Sequence, residues 1–449
     1  MPDDTIIRDP GETASEYRKD REAVRFCSTV YPLRCGIGYT MEFNTKLLHG
    51  KAVKKYADGA TLPQISQVSA FQYDSAEEQD KVFHHKAAGF AYSRVANPTV
   101  AAFEQRINEM EGGNAAIACS SGMFAITLAL LNMLCTGDEI IAGSGLYGGS
   151  IDLFEDLTKF GITTRFVPHM TVEAIKPLIN EKTKVIYGEV ICNPGLDVMD
   201  IRAVADLAHE HGIPLIVDST TATPLLVNPI AFGADIVVHS TTKYINGSGN
   251  SIGGVIIDSA RFNWDFDKFR ALDGYRQFGK FAYTIRLRTD IWDNMGGCMA
   301  PMTAFLNVVG LETLGLRMER ICDNADKLAH ALAKIPCIDV NYPTLNPSHD
   351  LVQTQLSGRG GGILTFRVGS RKRAFKVLNS LQYAIRATSL GDVRTLVIHP
   401  ASTLYIRSTQ EQREAAGVFD DTIRVSVGIE DADDLIEDFV RAIASSAGL

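Results

Sequence analysis

Asp218 and Lys243 are the residues most suited to chemistry, because each follows a short apolar run of the kind that forms a buried strand. Residues 213–217 (I-P-L-I-V) and 236–238 (I-V-V) are rich in β-branched side chains and bounded by turn residues, the pattern of parallel strands covered on both faces. Asp218 ends the first run, and Ser240, Thr242 and Lys243 follow the second. A carboxylate, two hydroxyls and an amine therefore gather where strands of an open α/β sheet emerge, a place at which such sheets bind ligands. The glycines beyond the lysine (Gly247, Gly249, Gly253, Gly254) are expected to leave room for a flat ligand and a close backbone. A lysine able to form a Schiff base and a carboxylate able to face a pyridinium nitrogen are what pyridoxal phosphate (PLP) requires of its protein. Taken singly, Lys243 would read as a solvated loop lysine and Asp218 as a helix cap. That account leaves unexplained why each follows a buried strand.

The elements that must hold these groups alternate along the chain. A helical pattern from Thr99 (Val100, Phe103, Ile107, Met110) stops at Gly112-Gly113. A strand at 115–119 follows, then S-S-G-M opens an apolar helix to Leu134, and strands at 139–142, 164–167 and 184–190 are separated by helices at 150–160 and 172–180. The helix at 201–211 is punctuated by Asp200 as N-cap and Gly212 just past its end. Repeated strand–helix units imply an α/β fold with a mainly parallel, doubly wound sheet. Strands at 362–368, 395–398 and 422–427, with helices at 372–381 and 433–445, imply a smaller α+β domain. The expected division is an N-terminal arm and subunit-contact segment (1–93), a large cofactor-binding domain (94–298) and a small C-terminal domain (299–449). Residues 1–60 are charged and weakly patterned, and read as an arm without a core of its own. The aromatic-rich stretch 261–297 reads equally as a lid, a subunit contact or a border of the site.

Three runs, Y-S-R-V-A-N-P-T, V-D-S-T-T-A-T-P and H-S-T-T-K-Y-I-N-G, resemble the Cys/Met-metabolism family of PLP enzymes, and the resemblance extends from about Leu62 to the C-terminus. The family includes O-acetylhomoserine sulfhydrylases, cystathionine synthases and lyases, and methionine γ-lyases. The resemblance implies an aspartate-aminotransferase-like (fold type I) large domain and a homo-oligomer, a tetramer, with shared active sites. It implies that Tyr92 and Arg94 hold the PLP phosphate of the neighbouring subunit, a role that suits an arginine fork and a phenol. Without it, they would read as surface residues before a helix capped at Asn97-Pro98-Thr99. Ser121, Gly122 and Met123 match the family's phosphate-binding turn, where N–H groups at a helix start favour an anion. Tyr147 matches the tyrosine that stacks on the pyridine ring and serves as acid or base. Asn193, in E-V-I-C-N-P after Glu189, matches the asparagine that contacts the cofactor's phenolic oxygen. Ser240 and Thr242 join Asp218 and Lys243 in the cofactor set. Ser389, Leu390 and Arg424 are implied to receive the substrate carboxylate, for which a bidentate arginine is suited. The family often has an aromatic residue near position 221. Thr221 stands there, which implies more open surroundings for the cofactor.

Composition limits the alternatives. At 449 residues the chain is long enough for two or three units, and 45% hydrophobic with 22% charged residues is ordinary for a globular protein. A net charge of -9 argues against nucleic acid or an anionic membrane as partner. Eight cysteines (27, 35, 119, 135, 192, 298, 322, 337) include no C-x-x-C pair, which suggests buried free thiols in a reducing compartment rather than a zinc site or disulfide framework. No metal site is expected. The acidic N-terminus lacks the apolar core of a signal peptide, and the longest apolar stretch, 124–134, is too short to span a bilayer. A cytoplasmic protein is expected.

The expected reaction is γ-replacement on O-acetylhomoserine by sulfide or a thiol, giving homocysteine or methionine. L-E-T-L-G-L-R-M-E-R, G-D-V-R-T-L-V-I-H-P-A-S-T and the spacing before Tyr92 are sulfhydrylase-like. Methionine γ-lyases carry a cysteine where Gly149 stands, and cystathionine γ-lyases often carry a glutamate where Thr388 stands. A lyase or cystathionine synthase is the alternative within the family. An aminotransferase would lack the S-R-x-x-N-P motif. A non-catalytic binding protein would be expected to have lost Lys243, Asp218 or Tyr147, and all are present.

Overall fold

The apolar runs become strands because each has two faces to bury. The computed structural model describes residues 41–446 apart from 54, 55, 57, 58 and 85. In it, β1 (Ala115–Cys119), β2 (Glu139–Gly143), β3 (Thr163–Val167), β4 (Thr183–Glu189), β5 (Leu215–Asp218), β6 (Ile236–Ser240) and β7 (Gly254–Asp258) form one sheet, ordered β1-β7-β6-β5-β4-β2-β3. Strands β2 to β6 pair in parallel, while β7 runs antiparallel to β1 and β6. Ile140, Val185, Ile216 and Val238 face one core; Ile141, Ile186, Val217 and Val237 face the other. Burial on both faces explains why these strands read as continuous apolar runs. The mainly parallel α/β fold is as expected. Of the arm read over 1–60, residues 1–40, with Cys27 and Cys35, lie outside the described residues, while a short helix at Phe43–His49 buries Leu47 in the core rather than standing free of it.

Local chemistry sets the helix ends. Helix α1 (Pro98–Glu111) is capped by the Asn97 side chain, which accepts from Thr99 N–H at 2.9 Å, and it stops at left-handed Gly112. Ser121 caps α2 (Gly122–Leu131) by accepting from Phe124 N–H at 3.1 Å. Helix α3 (Gly148–Leu157) starts two residues before Ser150, immediately after Tyr147. The helix expected over 172–180 is only Val172–Ile175, followed by a 3₁₀ turn at Lys176–Leu178. Pro177 supplies no N–H to continue the α-helical bonding, and the chain tightens into the 3₁₀ turn although Lys176 itself keeps helical backbone.

A second sheet, ordered β10-β11-β12-β9-β8, comprises β8 (Asp339–Asn341), β9 (Ile363–Arg367), β10 (Ile385–Arg386), β11 (Leu396–Ile398) and β12 (Thr422–Ser426). Its pairs are antiparallel except β10 with β11. Phe366 of β9 packs edge-on against Phe439 of the helix Ala432–Ala444 at 6.1 Å.

Part of the stretch 261–297 is a core layer, while Phe278 and Phe281 are exposed. Trp264 stacks on Tyr283 at 5.4 Å, and the Trp292 indole N–H donates to the Ala118 carbonyl at 3.1 Å. Trp264, Phe269, Tyr283 and Trp292 are buried in the core beside α2, and no residue of this stretch lines the cavity described below. The glycines after Lys243 differ from expectation as well. A Cβ on Gly254 would lie 2.2 Å from the Ser121 carbonyl oxygen and 2.8 Å from Gly122 N, and one on Gly247 would strike the Arg317 guanidinium. These glycines admit other parts of the protein, and Gly254 in particular lets β7 support the 121–123 turn. Among the described residues, no helix is long and apolar enough to cross a membrane, and no group of His, Cys, Asp and Glu side chains could hold a metal ion.

Candidate active site

The carboxyl ends of β4, β5 and β6 open into a cavity of about 260 Å³. Ser121, Gly122, Met123, Tyr147, Asn193, Asp218, Ser240, Thr242, Lys243, Ser389, Leu390 and Arg424 all line it. Tyr92 and Arg94 do not. Arg94 forms an ion pair with Asp293 and lies over the half-exposed Tyr92 ring, 5.5 Å from its centroid.

Lys243 follows β6 in a turn, and its Nζ donates to Ser389 Oγ at 3.2 Å. Burial, and then the charge of Arg424, lower the amine to about 8, so its neutral fraction near neutral pH is far larger than that of a solvated lysine. Neutral amine is the form that attacks a carbonyl or accepts a proton.

Asp218 at the end of β5 is buried. Its hydrogen bonds come from neutral donors, Thr220 N–H to Oδ1 at 2.9 Å and the Tyr187 phenol to Oδ2 at 3.2 Å. Burial raises its proton affinity, and the bonds from Thr220 oppose that shift. Its partner in the β4–β5 register is Glu189, a second buried carboxylate pushed up by burial and then by Asp218. Glu189 accepts from Tyr147 N–H at 2.8 Å and Asn193 N–H at 3.1 Å, so one side chain fixes two cavity-lining loops. Gly149 gives the Tyr147 ring its place, since a Cβ there would lie 2.6 Å from ring atom Cε1.

Arg424 sits on β12 and is 2% exposed, which excludes an arginine on a solvated strand face. One Nη donates to Asn193 Oδ1 at 3.1 Å and the other to the Ser389 carbonyl at 2.7 Å, while buried Nε has no partner among the described residues. Burial lowers its proton affinity to about 10, which still leaves it charged at neutral pH. The guanidinium is thus an oriented cation with an unused donor beside the cavity, suited to a carboxylate.

Sequence reasoning missed Thr220 and Tyr187. Thr220 stands two residues after Asp218, a spacing at which an aspartate caps a turn with its own side chain, and Thr220 Oγ1 also accepts from Ser240 N–H at 2.8 Å. Tyr187 shares a strand face with Glu189 by two-residue alternation, a signal usable only once the β4–β5 register is known.

The family profile described as Cys/Met metabolism PLP-dependent enzyme matches residues 44–444. A homocysteine synthase of Schizosaccharomyces pombe is 40% identical, the match covering 89% of this chain and 98% of that protein. An L-methionine gamma-lyase of Fusobacterium nucleatum subsp. polymorphum is 37% identical over 89% of this chain and 97% of its own length. The crystal structure of a putative O-acetylhomoserine (thiol)-lyase from Campylobacter jejuni, which contains a pyridoxyl-lysine monophosphate, superposes with a TM-score of 0.85. It is 33% identical and covers 90% of this chain and 100% of that one.

Proposed function

Because the chain belongs to the Cys/Met metabolism PLP-dependent enzymes, we propose that it catalyses γ-replacement on O-acetylhomoserine with sulfide or a thiol, yielding homocysteine or methionine. The observation that carries this reading is the convergence of Lys243, Asp218, Tyr147 and Arg424 on one cavity. The residues fit PLP on chemical grounds. A buried carboxylate held by neutral donors complements a cationic ring nitrogen, and the lysine that lines the cavity is shifted toward its neutral form. Lys243 would carry the cofactor covalently and Asp218 would face its ring nitrogen. Asn193 would contact the phenolic oxygen and Tyr147 the ring. Ser121, Gly122, Met123, Ser240 and Thr242 would hold the phosphate, completed by Tyr92 and Arg94 of a neighbouring copy. When bound, PLP supplies an electron-withdrawing ring that stabilises negative charge developing at the substrate's α-carbon.

The protein's own groups do the rest. Arg424, steadied by Asn193 and the Ser389 carbonyl, binds the substrate carboxylate. The Lys243 amine removes the proton from Cα and then one from Cβ, and the electrons of the broken Cβ–H bond form the Cβ–Cγ double bond as acetate leaves; the thiol then adds at Cγ and the protons return to Cβ and Cα. Tyr147 donates or accepts a proton at the substrate nitrogen or the departing group. Acetate leaves as an anion without needing a proton, which favours an acyl ester over methionine or cystathionine. Relatives named as synthase and as lyase stand at similar identity, so the preference for replacement rests on the leaving group and on the motifs. Division into 1–93, 94–298 and 299–449, and a homotetramer with shared sites, belong to the same proposal. Its cytoplasmic setting is supported by six free thiols among the described residues.

Lys243→Ala tests the reading, since it removes both the covalent anchor and the base. Turnover should vanish while circular dichroism and thermal unfolding still report a folded protein. Substantial activity with saturating PLP would contradict it.

A further inference from the structure

Tyr187 does not line the cavity, yet its phenol reaches the carboxylate at the cavity's base. It lies on β4 opposite Ile216, one step from the Glu189–Asp218 pair and on their face of the sheet. Its ring is fully buried and meets Phe154 of α3 edge-on at 5.1 Å, so the hydroxyl has little freedom to leave Asp218 Oδ2. With Thr220 N–H on Oδ1, each carboxylate oxygen is engaged and the group is held against rotation. Burial, then Asp218 and Glu189, keep the phenol far above its ordinary value, so it remains a donor at any working pH.

We infer that Tyr187 is a positioning residue that orients Asp218 and biases the proton shared between Asp218 and the cofactor's ring nitrogen toward the nitrogen. The inference rests on the assignment of Asp218 to that nitrogen. A hydrogen bond donated to a carboxylate stabilises its ionised form and makes it a weaker base. In a buried site this matters, because Glu189 beside Asp218 favours protonation of the pair. Thr220, and then His239 on β6, act with Tyr187 in favouring ionised Asp218. Only a proton transfer is involved: without the phenol, the proton moves from ring nitrogen to carboxylate oxygen, and neither group changes oxidation state.

The test uses holoenzyme loaded with PLP labelled with ¹⁵N in the ring, comparing native protein, Tyr187→Phe, Asp218→Asn and Phe154→Leu. Tyr187→Phe keeps the ring and its packing. It should move the nitrogen resonance toward that of a neutral pyridine and weaken PLP binding by about ten-fold, the scale of one hydrogen bond to a charged group. Phe154→Leu loosens the packing but keeps the hydroxyl, and should leave the resonance in place. An unchanged resonance and affinity in Tyr187→Phe, with Asp218→Asn clearly shifted, overturns the inference alone. A Phe154→Leu shift as large as that of Tyr187→Phe also overturns it, by making packing the cause. If Asp218→Asn leaves the resonance unmoved, the assignment of Asp218 falls and the inference falls with it.

Discussion

Arg424 on β12 donates to Asn193 Oδ1 at 3.1 Å across 231 residues of sequence, joining the small sheet to the loop that leaves β4 of the large one. Asn193 is itself held through its N–H by Glu189, so the guanidinium, the asparagine and the strand end form one connected frame. The cation is therefore oriented before any substrate arrives.

Arg424→Ala should raise KM for the amino-acid substrate steeply, costing about 2–5 kcal/mol in kcat/KM. Arg424→Lys should recover little, because a point charge lacks the fork and the links to Asn193 and Ser389. Steady-state kinetics of both variants against substrate concentration is the check. A normal KM in Arg424→Ala would remove the residue from carboxylate binding.

Lys243 has its proton affinity lowered to about 8 by burial and then by Arg424. Below that pH the amine is mostly protonated and unreactive; above it the amine is mostly neutral. The rate constant for PLP capture by the apoprotein should rise about ten-fold per pH unit below 8 and level off above it. Stopped-flow absorbance between pH 6 and 10 measures this. A profile still rising through pH 10 would mean the amine is not shifted.

Tyr92 and Arg94 lie outside the cavity of their own chain, and the proposal gives them to a neighbour. Arg94→Ala and Lys243→Ala chains are each expected to be inactive alone. Mixed under conditions that exchange subunits, they should regain part of the native activity, since some hybrid sites combine an intact Lys243 with an intact Arg94. Exchange verified by mass spectrometry without recovered activity would end the shared-site claim.

Much of this site was readable because burial on two faces leaves an unambiguous mark. The bounds expected for β1, 115–119, match those observed, and Asp218 and Lys243 were found as polar groups following buried runs. What stayed hidden depends on partners distant in sequence. Tyr187 looks like any strand aromatic until the β4–β5 register brings it to Asp218. Gly254 looks like ligand clearance until β7 is seen beneath the 121–123 turn. The aromatics of 261–297 divide between core and surface, Trp264, Phe269, Tyr283 and Trp292 being buried and Phe278 and Phe281 exposed, a split that the charges between them do not reveal. The apolar periodicity of 172–180 continues past Pro177 and so predicts a longer helix than the observed Val172–Ile175, since Pro177 has no N–H to continue the bonding.

The central claim concerns what happens after the leaving group departs. The direct measurement is the ratio of homocysteine to 2-oxobutyrate formed from O-acetylhomoserine by purified holoenzyme with saturating sulfide, with methionine and cystathionine run in parallel. The account predicts sulfide-dependent homocysteine in large excess over 2-oxobutyrate, with slow turnover of the other two substrates. Rapid 2-oxobutyrate from methionine or cystathionine, unaffected by sulfide and faster than any addition product, would contradict it and make the enzyme a lyase.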